Sequence, residues 1–163
     1  MAKVLTFSRV FPAYHPRKGE ETQFVGQIWN ALKVLQLPLP KIEELSPNFL
    51  DTILPMREIG CKYHTIRAGH RFKVGDKFSP RVWSGKPYAS KQITIAQDIE
   101  VKKVWYFDID PLTGNYLLNG VEQNLAQLKE IATNDGLEID DFECWFPKSF
   151  RGQIICWNEK IDY

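Results

Sequence analysis

The feature that most constrains the fold is a pair of strongly strand-forming segments. Residues Ile93 to Val101 alternate between apolar and polar side chains, and the β-rich segment from Val104 to Phe107 follows after two lysines. A period of two places the apolar side chains on one face, as in a half-buried β-strand. Further strands are predicted at Val4 to Val10, at Thr65 to Arg67 and at Ile154 to Trp157. The last of these is expected to pair back into the sheet.

Other segments have the helical period instead. Helices are predicted from Glu20 to Leu35, from Val121 to Thr133 and from Leu137 to Phe146, because their apolar residues recur at helical spacing. One or two helical turns are expected between Lys41 and Pro55. Strands interrupted by helices, without a regular βαβ alternation, predict an α+β fold with a small antiparallel barrel or curled sheet.

Length and composition are those of an ordinary globular protein. The 163 residues are about one domain long, and 44% of them are hydrophobic. No apolar run approaches the ~18 residues that span a bilayer. The first residues do not have the pattern of a signal peptide, so we expect a cytoplasmic protein with no membrane association. Three cysteines without metal-binding spacing predict reduced, buried thiols: Cys61, Cys144 and Cys156.

Charge is distributed unevenly although the formal net charge is only +1. Basic residues crowd the segment from Lys62 to Lys103, and acidic residues dominate from Asp108 to Glu143. This asymmetry predicts a basic face that could attract phosphate. An equally acceptable interpretation is a set of strands with solvated, charged outer faces.

The most reactive combination of side chains lies between Gly60 and Arg67. Thr65 and Arg67 should point to the same side of a strand, and Lys62 on the preceding turn could swing its amine toward the Thr65 hydroxyl. A lysine whose pKa is lowered can deprotonate a hydroxyl nucleophile. The simpler interpretation treats Lys62 and Arg67 as surface charges at the start of a strand.

Two further segments accompany this one in a recognisable order. They are Phe72 to Asp76, with the sequence Phe-Lys-Val-Gly-Asp, and Asp135 to Phe142, which begins Asp-Gly-Leu. Together with Lys62-x-x-Thr65-Ile66-Arg67 and Ile93-Thr94-Ile95, they resemble the ASCH (activating signal cointegrator homology) domains of the PUA-like superfamily. The resemblance covers about residues 60 to 158.

The sequence contains no internal repeat, linker or low-complexity segment, so residues 1–163 are predicted to form a single domain. The resemblance implies a mostly antiparallel PUA-like β-barrel with flanking helices, and residues 1–57 are expected to be an extension packed on it. It also implies a cleft that binds RNA or a modified nucleoside. Some small bacterial members of the family are amidohydrolases that remove the acetyl group from acetylated cytidine with a lysine, a threonine and a glutamate. By position, the catalytic residues would be Lys62, Thr65 and Asp135, an aspartate where that family has glutamate, and Glu138 is the alternative for this acidic role. The substrate-binding candidates are Arg67, His64, Arg71 and Glu138.

Two alternatives to an enzyme stay open. One is a non-catalytic RNA-binding module, in which basic side chains contact phosphates beside aromatic residues that stack on bases. The other is a protein-interaction module that does not use its cleft. The aromatic residues concerned, Trp83, Tyr88, Trp105 and Tyr106, are equally typical of a β-sheet core. The three histidines have no metal-ligand spacing, so no metal and no cofactor are predicted, and the oligomeric state is left open.

Overall fold

The computed structural model of the protein describes residues 1–40 and 59–163. The helical turns expected between Lys41 and Pro55 therefore lie outside the described residues. The described chain forms the strands β1 (Lys3–Thr6), β2 (His64–Ala68), β3 (Lys77–Trp83), β4 (Gln92–Thr94), β5 (Ile99–Glu100), β6 (Lys103–Ile109), β7 (Tyr116–Leu118), β8 (Val121–Glu122) and β9 (Phe150–Cys156), and the helices α1 (Phe24–Val34), α2 (Leu125–Asn134) and α3 (Ile139–Trp145).

The chain divides into two compact units, and each unit is built from two segments. Unit 1 comprises Met1–Cys61 and Lys77–Ile99, and unit 2 comprises Lys62–Asp76 and Glu100–Tyr163. The prediction that residues 1–163 act as one domain stays a prediction.

Unit 1 contains a small mixed sheet and helix α1. Strand β1 runs parallel to β3, β4 is antiparallel to β3, and β5 also pairs with β3. The apolar stripe of α1 is buried, and the indole nitrogen of Trp29 donates a 2.7 Å hydrogen bond to the Ile95 carbonyl. The predicted helix start at Glu20 is wrong, because the Thr22 hydroxyl accepts from the Phe24 amide at 3.3 Å and the helix begins only there.

The predicted strand from Ile93 to Val101 is interrupted in unit 1. It forms β4 and β5 with a bend at Ala96 and Gln97 between them. The Ile95 amide leaves the regular ladder and donates to the Pro80 carbonyl at 3.0 Å, while the Ile95 side chain is completely buried. The sequence alternates between apolar and polar residues through the bend because the side chain of Ile95 is still packed in the core.

Unit 2 contains a five-stranded antiparallel sheet in the order β2-β9-β6-β7-β8. Helices α2 and α3 belong to the same unit, and Phe142 of α3 packs against Phe107 and Tyr116 of the sheet. We call this side the helix-covered face. Helix α2 begins later than the predicted Val121, because Asn124 and Gln127 form a capping box at its start.

The fold class predicted from the sequence is confirmed at the level of α+β with mostly antiparallel sheets. The described strands form two separate sheets, and no closed barrel is found among them. Within residues 1–40 and 59–163, no helix has the length and apolarity needed to span a bilayer.

Candidate functional site

Lys62 and Asp135 form a buried ion pair in unit 2. The Lys62 amine donates to Oδ1 of Asp135 at 2.8 Å and also to the main-chain carbonyl of Asp135. Only 1% of Lys62 and 5% of Asp135 is exposed. Two of the three predicted catalytic residues are thus in contact, although they are 73 positions apart in sequence.

The local sequence explains how Asp135 is held. Asp135 caps the C-terminal end of α2, and Gly136 follows with a φ of +81°. The Leu137 amide donates to the Ala132 carbonyl at 3.0 Å, which completes a Schellman motif. A residue with positive φ is required at this position, and glycine adopts it without a steric penalty. The amine of Lys62 therefore neutralises both a carboxylate and the partial negative charge of the helix C-terminus.

The main chain beside Lys62 also contacts the end of α2. The amide of Tyr63 donates to the Asn134 carbonyl at 2.8 Å, and the amide of Trp157 donates to the Tyr63 carbonyl at 3.1 Å. The last carbonyls of a helix have no partner within the helix and must be satisfied from outside. The segment before β2 therefore supplies donors to the end of α2 and fixes the helix to the sheet.

His64 extends the ion pair into a chain of polar contacts. The Asn134 amide donates to the Tyr163 hydroxyl at 2.9 Å, and that hydroxyl lies 2.8 Å from Nε2 of His64. Nδ1 of His64 faces Oδ1 of Asp135 at 3.4 Å, near the long limit of a hydrogen bond. If the ring proton is on Nδ1, which faces the carboxylate, Nε2 is the acceptor for the Tyr163 hydroxyl. His64 is neutral in this arrangement.

Burial and charge shift the pKa values of the cluster. Burial favours the neutral form of Asp135, but the Lys62 charge and the contact with His64 outweigh it and lower the pKa. Burial lowers the pKa of His64 against the opposing attraction of Asp135. Burial also lowers the pKa of Lys62, although Asp135 opposes this shift. Burial raises the pKa of Tyr163, which keeps its hydroxyl protonated at neutral pH.

Thr65 is buried on the other side of β2. Its partner on β9 is Ile155, whereas His64 lies opposite Cys156. Successive side chains of a strand point to opposite faces, so Thr65 points away from the face on which His64 meets Asp135. The Lys62 amine donates to oxygens of Asp135, and its geometry as a base for the Thr65 hydroxyl stays a prediction.

The face of the sheet that carries Thr65 also carries Arg67, Gln153 and Tyr106 in one row. Arg67 lies opposite Gln153 on β9, and Gln153 lies opposite Tyr106 on β6. Tyr106 is 55% exposed, although its neighbour Trp105 is buried. We call this side the Tyr106 face. The pairing of β2 with β9 and of β9 with β6 therefore places the side chains of Arg67, Gln153 and Tyr106 beside one another.

A loop from the end of β2 folds over the Tyr106 face. The buried amide of Gln153 accepts from the Phe72 amide at 2.8 Å and donates to the Phe72 carbonyl at 2.9 Å. The ring of His70 packs edge-on against Tyr106 with 4.8 Å between centroids, and its Nε2 lies 3.0 Å from the Gly152 carbonyl. These contacts fix an imidazole beside an exposed phenol ring.

The remaining predicted residues are dispersed. Arg71 is exposed on the loop after β2, and Arg67 is half-buried. Glu138 is exposed at the start of α3, where it precedes the first helical residue. The expectation of three buried thiols is correct for Cys156 only, because Cys61 is half-buried and Cys144 is exposed.

Sequence reasoning missed three residues that organise the site. Tyr163 and Asn134 complete the polar chain to His64, and Gln153 holds the loop. A lone polar residue within the apolar segment Gln153 to Trp157 is the one signal that could have marked Gln153. Among the described residues, no group of three or more His, Cys, Asp or Glu side chains is arranged to hold a metal ion.

Comparisons of the chain with protein-family models, with curated proteins and with solved structures found no match.

Proposed function

We propose that unit 2 binds RNA by holding one of its nucleosides, unmodified or modified, on the Tyr106 face. The bound nucleoside is not hydrolysed. The observation that carries the proposal is the exposed ring of Tyr106, held beside His70 at 4.8 Å in a row with Arg67. A base stacks on an exposed aromatic ring with a free energy of about 1–3 kcal/mol. Tyr106 is 55% exposed, so part of its ring is open to a ligand.

The neighbours of Tyr106 supply the polar contacts that a nucleoside needs. Two strand spacings, or about 10 Å, separate Tyr106 from Arg67 across Gln153. Gln153 between them is buried and bonded to the Phe72 main chain, so a ligand on Tyr106 does not extend across it to Arg67. Arg151 is exposed on the same face, opposite Asp108 in the next row of the sheet. The His70 imidazole is placed to bond the edge of a stacked base.

The opposite directions of the Lys62 amine and the Thr65 side chain support binding rather than amide hydrolysis. The Lys62 amine donates to two oxygens of Asp135 on the helix-covered face, where it satisfies the end of α2. Thr65 points to the opposite face. In this proposal Lys62 of the Lys-x-x-Thr-x-Arg motif anchors the helix and is not a catalytic base.

A calorimetric titration with cytidine, uridine, adenosine, guanosine and acetylated cytidine tests the proposal. We expect at least one nucleoside to bind, and Tyr106→Ala to weaken its binding roughly 5- to 150-fold, which corresponds to the free energy of stacking one base. Tyr106→Phe should retain affinity because the ring remains. Tyr14→Ala is the matched control, since Tyr14 is an exposed tyrosine of unit 1. The proposal is wrong if no nucleoside binds, or if Tyr106→Ala and Tyr14→Ala bind equally well.

Amide hydrolysis is the second candidate, and the 2.8 Å contact between Lys62 and Asp135 favours it. Burial lowers the pKa of Lys62, which is the direction that a general base needs. In this reaction the Thr65 oxygen attacks the amide carbonyl, the proton passes to Lys62 and then to the leaving amine, and water hydrolyses the acyl-enzyme. Release of acetate from acetylated cytidine, retained by Thr65→Ser and abolished by Thr65→Val, would establish it.

A further inference from the structure

Unit 1 presents a second cluster of aromatic and basic side chains, at the tip of the hairpin that joins β3 to β4. Trp83 is the last residue of β3, and its ring lies 5.3 Å from the ring of Tyr88. Tyr88 is 90% exposed. Burial in the core therefore does not explain why an aromatic residue is there.

The charges around the pair are of one sign. Residues 77–97 contain no aspartate or glutamate, and the hairpin tip carries Lys86 and Lys91, both exposed. Arg81 shares the Trp83 side of β3, because the two residues are separated by one position. The guanidinium of Arg9 also reaches the tip, where it donates to the Ser84 carbonyl at 3.4 Å. The tip is therefore a local cationic surface although the whole chain is nearly neutral.

Internal hydrogen bonds hold the tip in one conformation. The Ser84 amide donates to the Lys91 carbonyl at 2.8 Å, and the Ala89 amide donates to the Lys86 carbonyl at 3.2 Å. The Ser90 hydroxyl accepts from the Gly85 amide at 3.0 Å and donates to the Lys86 carbonyl at 2.9 Å. A tip that is ordered before binding loses less conformational entropy when a ligand arrives.

Tyr88 itself is held in an uncommon backbone conformation. Its φ is +63°, in the left-handed region that bulky side chains seldom adopt. Such a conformation costs free energy and persists only where the surrounding structure imposes it. Glycine, asparagine or aspartate would fit this position with less strain. The strain is thus associated with an exposed aromatic ring and cationic neighbours, a combination that favours a ligand contact.

We propose that the hairpin tip, Trp83 to Lys91, binds single-stranded RNA, with a base stacked on the Trp83–Tyr88 pair and phosphates contacted by Lys86, Lys91 and Arg9. Stacking on aromatic rings within a cationic groove is the usual means of binding a single strand without sequence preference. RNA is specified because the proposal rests on the nucleoside-binding function of unit 2. The contact itself belongs to unit 1 and uses different residues.

The test is the affinity of the full chain for a fluorescent oligouridylate of about twelve nucleotides, measured by anisotropy at several salt concentrations. Tyr88→Gly removes the ring and suits the observed φ, so the fold should be retained. We expect it to weaken binding roughly 5- to 150-fold. Lys86→Gln/Lys91→Gln should lower the slope of log affinity against log salt by about 0.7 for each phosphate that the protein no longer neutralises.

Two controls make the outcome specific. Lys18→Gln/Lys33→Gln removes the same charge from exposed lysines elsewhere in unit 1 and should leave the slope nearly unchanged. Tyr14→Ala should leave the affinity unchanged. An unaltered Tm in each variant shows that the fold is retained. Equal affinity of Tyr88→Gly and wild type for the oligonucleotide, or a salt slope unchanged in Lys86→Gln/Lys91→Gln, overturns the proposal.

The nucleoside titration separates this proposal from the function of unit 2. If nucleosides bind and depend on Tyr106 while the hairpin variants bind the oligonucleotide normally, only the hairpin proposal fails. If no nucleoside binds but Tyr88→Gly weakens oligonucleotide binding, the hairpin contact is real and the function proposed for unit 2 is wrong. If wild type binds neither ligand, both are wrong.

Discussion

The amine of Lys62 bonds both the carboxylate and the main-chain carbonyl of Asp135, so that one side chain joins the start of β2 to the end of α2. The carboxylate contact is 2.8 Å long and almost entirely shielded from water. In a buried pair of this kind, each charge depends on the other for its solvation. The cluster is therefore first a structural junction, and the ligand-binding surface is proposed on the opposite side of the sheet.

Removing one partner of this pair should destabilise the protein strongly. Lys62→Met leaves the Asp135 carboxylate buried without its cation, which costs about 3–5 kcal/mol of the free energy of unfolding. Urea denaturation followed by circular dichroism measures the loss. Lys129→Met is the control, because Lys129 lies exposed on α2, the helix that Asp135 caps. This substitution should change the free energy of unfolding by less than about 0.5 kcal/mol.

The double variant Lys62→Met/Asp135→Leu sharpens this prediction. Replacing both charges with apolar side chains leaves no unpaired charge, so the double variant should be more stable than Lys62→Met alone. Equal destabilisation by Lys62→Met and Lys129→Met would contradict the account of the junction.

Stability should decrease as the pH falls below about 6.5, the ordinary pKa of histidine. Burial lowers the pKa of His64 in the folded state, so the unfolded chain binds a proton that the folded chain does not. The free energy of unfolding then falls by up to about 1.4 kcal/mol per pH unit between the unfolded and folded pKa values. A second loss follows below about pH 3.9, where protonation of Asp135, whose folded pKa is lowered, removes the ion pair.

Denaturation at pH 7.5, 6.5, 5.5 and 4.5 tests the loss of stability that is attributed to His64. His64→Gln should be less stable at pH 7.5 but should lose less free energy between pH 6.5 and 5.5 than wild type does. If the free energy of unfolding changes with pH equally in His64→Gln and in wild type, the assignment of a neutral, buried His64 is contradicted.

Gly152 should not tolerate a side chain. A Cβ atom there would lie 2.1 Å from the Arg67 carbonyl oxygen of the paired strand and 2.7 Å from the Phe150 ring. Gly152→Ala must therefore move β9 away from β2, and we expect a loss of about 1–3 kcal/mol of the free energy of unfolding, as for an overpacked core. Gly85→Ala is the matched control, since its Cβ would lie 3.6 Å from the nearest atom. Thermal unfolding compares the two variants, and equal Tm values would contradict the described register.

Much of the local structure could be predicted from the sequence because short-range patterns determine it. The apolar spacing of α1, the strand at β6 and the helix stop at Asn134-Asp135-Gly136 are each decided by neighbouring residues. Strand alternation also predicts that Thr65 and Arg67 share a side of β2, and the pairing of β2 with β9 agrees.

Long-range contacts decide what the sequence could not show. The direction of the Lys62 side chain depends on the helix end 73 positions away, because that end offers two oxygen acceptors. The bend at Ala96 and Gln97 contains no glycine or proline, so nothing local marks it. The exposure of Tyr106 and burial of Trp105 follow from which face the helices cover, which alternation alone does not specify.

The central claim, that unit 2 binds a nucleoside on the Tyr106 face and leaves it intact, is tested most directly by proton NMR of acetylated cytidine mixed with an equal amount of protein. The base protons should broaden or shift in the presence of wild type and much less with Tyr106→Ala, while the acetyl signal remains on the nucleoside over a day. Unchanged base signals with wild type for acetylated cytidine and for every unmodified nucleoside, or free acetate that appears with wild type and not with Thr65→Val, would contradict the claim.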